Sequence, residues 1–257
     1  MRLRRVLLQA DFILAQVARP VLVVAVSAAG LAAASMYSEL IAVLFYTLYS
    51  LAYGLSAATS AAYSFAEEVV SRRAQLYLAA GLRRSEYALA WILAVIVYPA
   101  AAVFLSIVFP LLVLNPESLV EPLISPFSVA RSTGRLGIGL VLAASYALTT
   151  LQLGSLAFMV SAFTLRRGAV AAAMLAATLL VPVSMLVIMV MTNGGGVEAV
   201  LTIMSLLSVQ YALAMTDSNL PGIEDPETVF NVCLVQSLVS AAAYLLLGYL
   251  RASNMEY

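Results

Sequence analysis

Long apolar runs alternate along this chain with short charged stretches. Residues about 20–37, 40–64, 88–114, 136–164, 169–191 and 229–250 contain no Asp, Glu, Lys, Arg or His. An α-helix needs roughly 17–25 such residues to cross a hydrocarbon core about 30 Å thick. The pattern predicts an all-α membrane protein with six transmembrane helices, forming one transmembrane domain over residues 1–257. Pro20 suits the first turn of the first span. Pro99 and Pro110 fall inside the third, where neighbouring helices or water must satisfy the carbonyls they free.

The segments between the runs behave differently. Residues 1–19 are broken by Gln9, Asp11, Gln16 and Arg19. Their apolar positions, Leu3, Val6, Leu7, Ala10, Leu14 and Val17, recur at helical spacing, which predicts a helix lying in the membrane interface. A cleaved leader needs an unbroken apolar core, which Gln9 and Asp11 deny it. Residues 65–87 carry Glu67, Glu68, Arg72, Arg73, Arg83, Arg84 and Glu86. Holding seven charges at mid-membrane would cost on the order of 20 kcal/mol, so this loop lies outside the hydrocarbon. Its charges are expected mostly at the surface, opposite an apolar side of Val69, Val70, Leu76, Leu78, Ala79 and Leu82. A polar loop over 115–135 and a short turn, Leu165 to Gly168, separate later spans.

Residues 197–214 are apolar enough for a seventh span, and the placement of arginine argues against one. With six spans and both termini cytoplasmic, Arg2, Arg4, Arg5, Arg19, Arg72, Arg73, Arg83, Arg84, Arg166, Arg167 and Arg251 lie inside, and only Arg131 and Arg135 outside. That is the positive-inside bias. Residues 197–214 are accordingly read as an outer re-entrant or surface helix before the last span.

Composition sharpens this picture. Apolar residues make up 63% of the chain and charged residues 10%, with mean hydropathy +1.02, against about 25% charged residues in soluble domains. There is no His and one Cys, Cys233. Metal clusters, disulfides and His-based catalysis are not expected. Net charge is zero, which leaves no nucleic-acid footprint. No catalytic residue stands out, and the chain is not expected to be an enzyme.

The uncharged spans bear on energy supply. Proton-coupled transporters place ionisable groups within the membrane, and here the only titratable side chains within the spans are tyrosines and Cys233. A sodium site built from backbone carbonyls would leave no trace in sequence. No G-x-x-x-x-G-K-[ST] loop is present, and Gly134, Gly137 and Gly139 suit close helix packing. Work done by this chain must be powered through a partner.

The stretch Glu68 to Trp91, EVVSRRAQLYLAAGLRRSEYALAW, resembles the inner loop of type-2 ABC exporter permeases. An acidic residue precedes a helical apolar stretch. A small turn and a basic-polar-acidic cluster, Gly81 to Tyr87, then open the third span. Met204 to Tyr211 is similar to that family's outer segment, without the proline often found there. The resemblance implies that the loop holds a coupling helix docked on a separate ATPase subunit, with Glu67, Glu68, Arg72 and Arg73 at the contact. Gly81, Arg83, Arg84, Ser85 and Glu86 would form the turn back into the membrane. It also implies pairing with a second copy or a paralogue, as homo- or heterodimer, in the plasma membrane. It implies further that this chain binds no cofactor and that ATP sits on the partner.

Polar residues at helical spacing are candidate linings of a translocation path, foremost Tyr46, Tyr49 and Tyr53, then Tyr146, Gln152 and Gln236. For any single one of these residues interhelical hydrogen bonding is the favoured explanation, and the stripe of Tyr46, Tyr49 and Tyr53 is the strongest case for a lining. The other readings are an ATP-independent transporter or channel, and a structural subunit of a larger membrane complex.

Overall fold

The computed structural model describes residues 6–10, 13, 39–113, 128–177, 205–206 and 226–256. Side chains are described at 6–10, 13, 55–105, 143–177, 205–206, 228 and 231–256. Among these residues every element is a helix: α1 (Glu39–Val70), α2 (Arg73–Ala79), α3 (Arg84–Ile92), a π-helical turn (Leu93–Val97), α4 (Tyr98–Val113), α5 (Ser128–Thr164), α6 (Arg167–Ala177) and α7 (Pro226–Ser253). The stretches Arg84–Leu105, Ala143–Thr164 and Asn231–Ser253 are long and apolar enough to cross a membrane. They mark the chain as a membrane protein. The expected span 40–64 is helical within α1, while 20–37 and most of 169–191 lie outside the described residues.

Two expected boundaries moved. The polar pattern over 115–135 predicts a loop, yet α5 already begins at Ser128 and includes Arg131 and Arg135. A helix can continue past the hydrocarbon wherever water satisfies its charges. At about 1.5 Å per residue the 37 residues of α5 reach roughly 55 Å, well beyond a 30 Å core. The third span likewise starts its helix at Arg84.

The π turn has a chemical origin. Pro99 lacks an N–H, so Val95 O cannot receive the usual donor four residues on. The Tyr98 N–H bonds instead to Leu93 O, five residues back. This widened turn faces Gly154 of α5, where an added Cβ would lie 3.4 Å from both Val95 O and Ala58 Cβ. Glycine thus lets α1, the π turn and α5 meet at one crossing.

Paired contacts set the helix directions. Gln152 bonds to Ser240, and eleven residues further along each helix Arg251 lies over the Phe163 ring, 6.0 Å from its centroid. α5 and α7 therefore run parallel and in register. Gly154 faces Ala58 and, seven residues on, Ser161 Oγ donates to Ala62 O at 2.6 Å, so α1 also runs parallel to α5. α3 runs the opposite way, its start lying beside the end of α7 where Arg84 and Ser85 share a groove with Ser253 and Asn254.

Among the described residues the main buried cluster lies at this end of the bundle. Phe65, Tyr87, Trp91 and Phe158 are fully buried, with Phe65 centroids 5.6 Å from Trp91 and 5.1 Å from Phe158. Val6, Ala10 and Ile13 join the same buried cluster, as do Ala252 and Met255. Leu7 and Leu8 point outward. The buried stripe of the N-terminal segment thus differs from the expected one. The smaller Val6 and Ala10 fit against the bundle and leave Leu7 for an apolar surround. α7 is peripheral, with only 28% of its span buried, and Val235, Leu238, Val239 and Leu246 face outward.

Candidate functional site

The charged loop folds into a compact helical elbow. α1 ends at Val70, and Arg72 takes a left-handed conformation, φ 60°, which turns the chain into α2. At the other end Gly81, φ 93°, closes a Schellman cap. The Gly81 N–H bonds to Leu78 O at 3.0 Å and the Leu82 N–H to Tyr77 O at 3.2 Å. The Glu86 carboxylate then accepts the Arg83 N–H at 3.0 Å, satisfying one orphan donor at the start of α3.

Beneath the elbow lies a buried acid. Glu68 is 5% exposed, and the Tyr87 hydroxyl donates to its Oε2 at 2.9 Å. Burial pushes the Glu68 carboxyl above the usual carboxylate range, opposed by hydrogen bonds from Tyr87 and Tyr77 and by the Arg73 guanidinium. Tyr77 stacks on Tyr87 at 5.9 Å. Burial, then the Glu68 charge, pushes the Tyr77 hydroxyl up, while the Gln9 side chain pulls it down. One polar cluster thus joins the N-terminal segment, α1, α2 and α3.

Each loop residue named from sequence has a distinct position. Arg72, Arg73, Gly81, Arg83 and Arg84 are exposed. Glu67 is exposed and paired with Arg167, and Ser85 and Glu86 are half-buried. Glu68 was expected at the surface and lies inside, because Tyr87 supplies a partner that hydropathy cannot reveal. The expected apolar side is also corrected. Ala74 is buried, Tyr77 and Leu78 pack inward, and Leu76 and Val70 are 71% and 65% exposed. The elbow's outer surface therefore carries Val70, Leu76, Arg72 and Arg73 together.

A second polar cluster sits within the bundle. Gln152 is fully buried, and its Nε2 donates to Ser205 O and Ser240 Oγ, both at 2.7 Å. Ser237 Oγ also donates to Ser205 O at 2.7 Å. Gln152 Oε1 is buried with no hydrogen-bond partner among the described residues. Gln152 and Ser240 lie twelve and thirteen residues before the ends of α5 and α7, Thr164 and Ser253, a depth of roughly 18–20 Å from the elbow end. The Ser205 backbone therefore reaches well inside the bundle.

Tyr146 is half-buried against the small cluster of Val103, Ala143 and Phe104. Gln236 is half-buried on α7. Tyr46, Tyr49 and Tyr53 belong to helix α1, and their side chains lie outside those described. Sequence reasoning missed Ser205 as a partner of Gln152, Ser237 as a second donor to the Ser205 carbonyl, and Tyr77 and Tyr87 as partners of Glu68. Their only signal was being polar within apolar surroundings.

No protein-family model, curated protein or solved structure matches this chain.

Proposed function

We propose that this chain is the membrane-spanning permease subunit of an ATP-driven exporter of the type-2 ABC kind, moved by a separate ATPase through the elbow at 65–87. The observation that carries the reading is the construction of that elbow. Its outer surface offers apolar side chains beside arginines, and its inner surface is tied to α1 and α3 through Glu68 and Tyr87. A push on Leu76 would reach two helices at once, which is what a coupling element must do. The resemblance of 68–91 to such loops points the same way.

The parallel run of α5 and α7 supports six crossings. Parallel spans are separated by an odd number of crossings. Residues 169–191 supply one, and a full crossing by 197–214 would make the number even. On this reading 197–214 is re-entrant, entering from the far side deeply enough for Ser205 to meet Gln152. The elbow end, where N-terminal and C-terminal residues pack together, is the cytoplasmic face by its arginine content. Two such chains, identical or paralogous, and two ATPase subunits complete the assembly in the plasma membrane.

The test is purification of the chain from its native membrane with identification of what accompanies it. A nucleotide-binding subunit is expected, released by Arg72→Glu with Leu76→Asp and retained by Arg131→Gln. An intact complex with no such subunit would overturn the reading.

A further inference from the structure

Beside the elbow, a groove of about 660 Å³ opens between the start of α3 and the end of α7. Its size falls in the range of ligand sites, roughly 300–1,000 Å³. Arg83 and Arg84 line it, with Ser85 and Asn254 as neutral hydrogen-bonding groups and Leu82 and Tyr249 as an apolar wall. None of its lining residues is acidic. The nearest carboxylate along the chain, Glu86, is occupied with the Arg83 N–H. Among the described residues neither guanidinium has a carboxylate partner. The first N–H groups of α3 add partial positive charge at the same place.

The groove's level identifies its occupant. The apolar stretch Arg84–Leu105 begins at its rim and Asn231–Ser253 ends there. That is the plane where hydrocarbon gives way to headgroup phosphates. Guanidinium matches phosphate with paired, charge-assisted hydrogen bonds, and basic pockets between helix ends suit anionic headgroups.

We propose that this groove binds the headgroup of an anionic phospholipid, its phosphate held by Arg83 and Arg84 and its glycerol end lying along Leu82 and Tyr249. The bound lipid ties the elbow to the last helix. This inference requires only that the chain is embedded in a membrane, and stands apart from the ATP-driven reading.

The test uses the full chain, delipidated and returned to phosphatidylcholine vesicles with or without phosphatidylglycerol. Bound lipid is counted by mass spectrometry and stability followed by melting. Phosphatidylglycerol is expected to be retained and to raise the melting temperature. Arg83→Gln with Arg84→Gln is expected to reduce retention about tenfold or more, and both side chains are exposed, so the fold survives. Arg72→Gln with Arg73→Gln removes equal charge from the same loop outside the groove and is expected to keep the lipid. Equal loss in both pairs would mean diffuse surface attraction and overturn the proposal. So would inorganic phosphate reproducing the lipid's effect, which would make this a soluble-anion site. Release of a co-purifying protein by the groove variant, with lipid unchanged, would assign the groove to a protein partner instead.

Discussion

The Tyr87 hydroxyl donates a 2.9 Å hydrogen bond to the Glu68 carboxylate across nineteen residues of chain, inside the protein. This bond clamps the end of α1 to the start of α3 beneath the elbow. Burial raises the Glu68 pKa, so the folded state holds its proton more tightly than the unfolded state does. Stability from this group is full below the unfolded value, near 4.5, and declines as pH rises through the folded value. Glu68→Gln keeps an acceptor for Tyr87 and has no proton to lose. Its melting temperature should exceed wild type at neutral pH and converge with it in acid. Tyr87→Phe should cost about 1–3 kcal/mol at neutral pH and less in a Glu68→Gln background.

Gly81 and Arg72 both have positive φ, and they predict opposite outcomes. Gly81→Ala places a Cβ in a left-handed conformation at a cost of about 1–2 kcal/mol, and should loosen the elbow in hydrogen exchange. Arg72→Gly relieves similar strain and should leave the elbow as protected or more so.

Gly248 lets α7 press against α5. A Cβ there would sit 2.8 Å from Phe158 Cδ1 and 3.3 Å from Met159 Cα. Gly248→Ala should destabilise by about 1–3 kcal/mol in chemical denaturation. Phe158→Leu in the same chain should recover part of that loss, since two of the three close contacts belong to the ring.

Trp91 is the single tryptophan and is fully buried, edge-on to Phe65. Its emission should be blue-shifted and report on the core beside the elbow. Its Nε1 finds no acceptor among the described residues, so Trp91→Phe loses no hydrogen bond there. That change should cost far less than the roughly 3–5 kcal/mol of Trp91→Ala.

The ends of α2 and α7 share one end of the bundle. Cys233 is the sole cysteine and is buried, so single reporters are simple to place. Gln75→Cys and Glu256→Cys, both at exposed positions, should react with an impermeant maleimide from the same side of sealed vesicles. Labelling from opposite sides would contradict the helix directions described above.

Much of the helical layout was legible in hydropathy alone, because a bilayer selects long uncharged runs whatever their partners. The elbow between Val70 and Arg84 was legible as a charged interruption, and Gly81 as its turn. The burial of Glu68 was not, since it depends on a tyrosine nineteen residues away. The rotation of the N-terminal stripe toward Val6, Ala10 and Ile13 was equally hidden, being set by the size of what faces it. Gln152 could be marked as polar, but its partners on α7 and at Ser205 arise only when three distant segments meet.

The sequence by itself determined that this is a helical membrane protein with a charged elbow and apolar stretches free of Asp, Glu, Lys, Arg and His. Length, hydropathy and charge act locally, and each residue carries them in any context. Only the tertiary structure decided which acid is buried, which apolar side chains of the elbow face outward, and where two arginines border a groove. Those are properties of pairs of surfaces, and they exist only once α1, α3, α5 and α7 have packed.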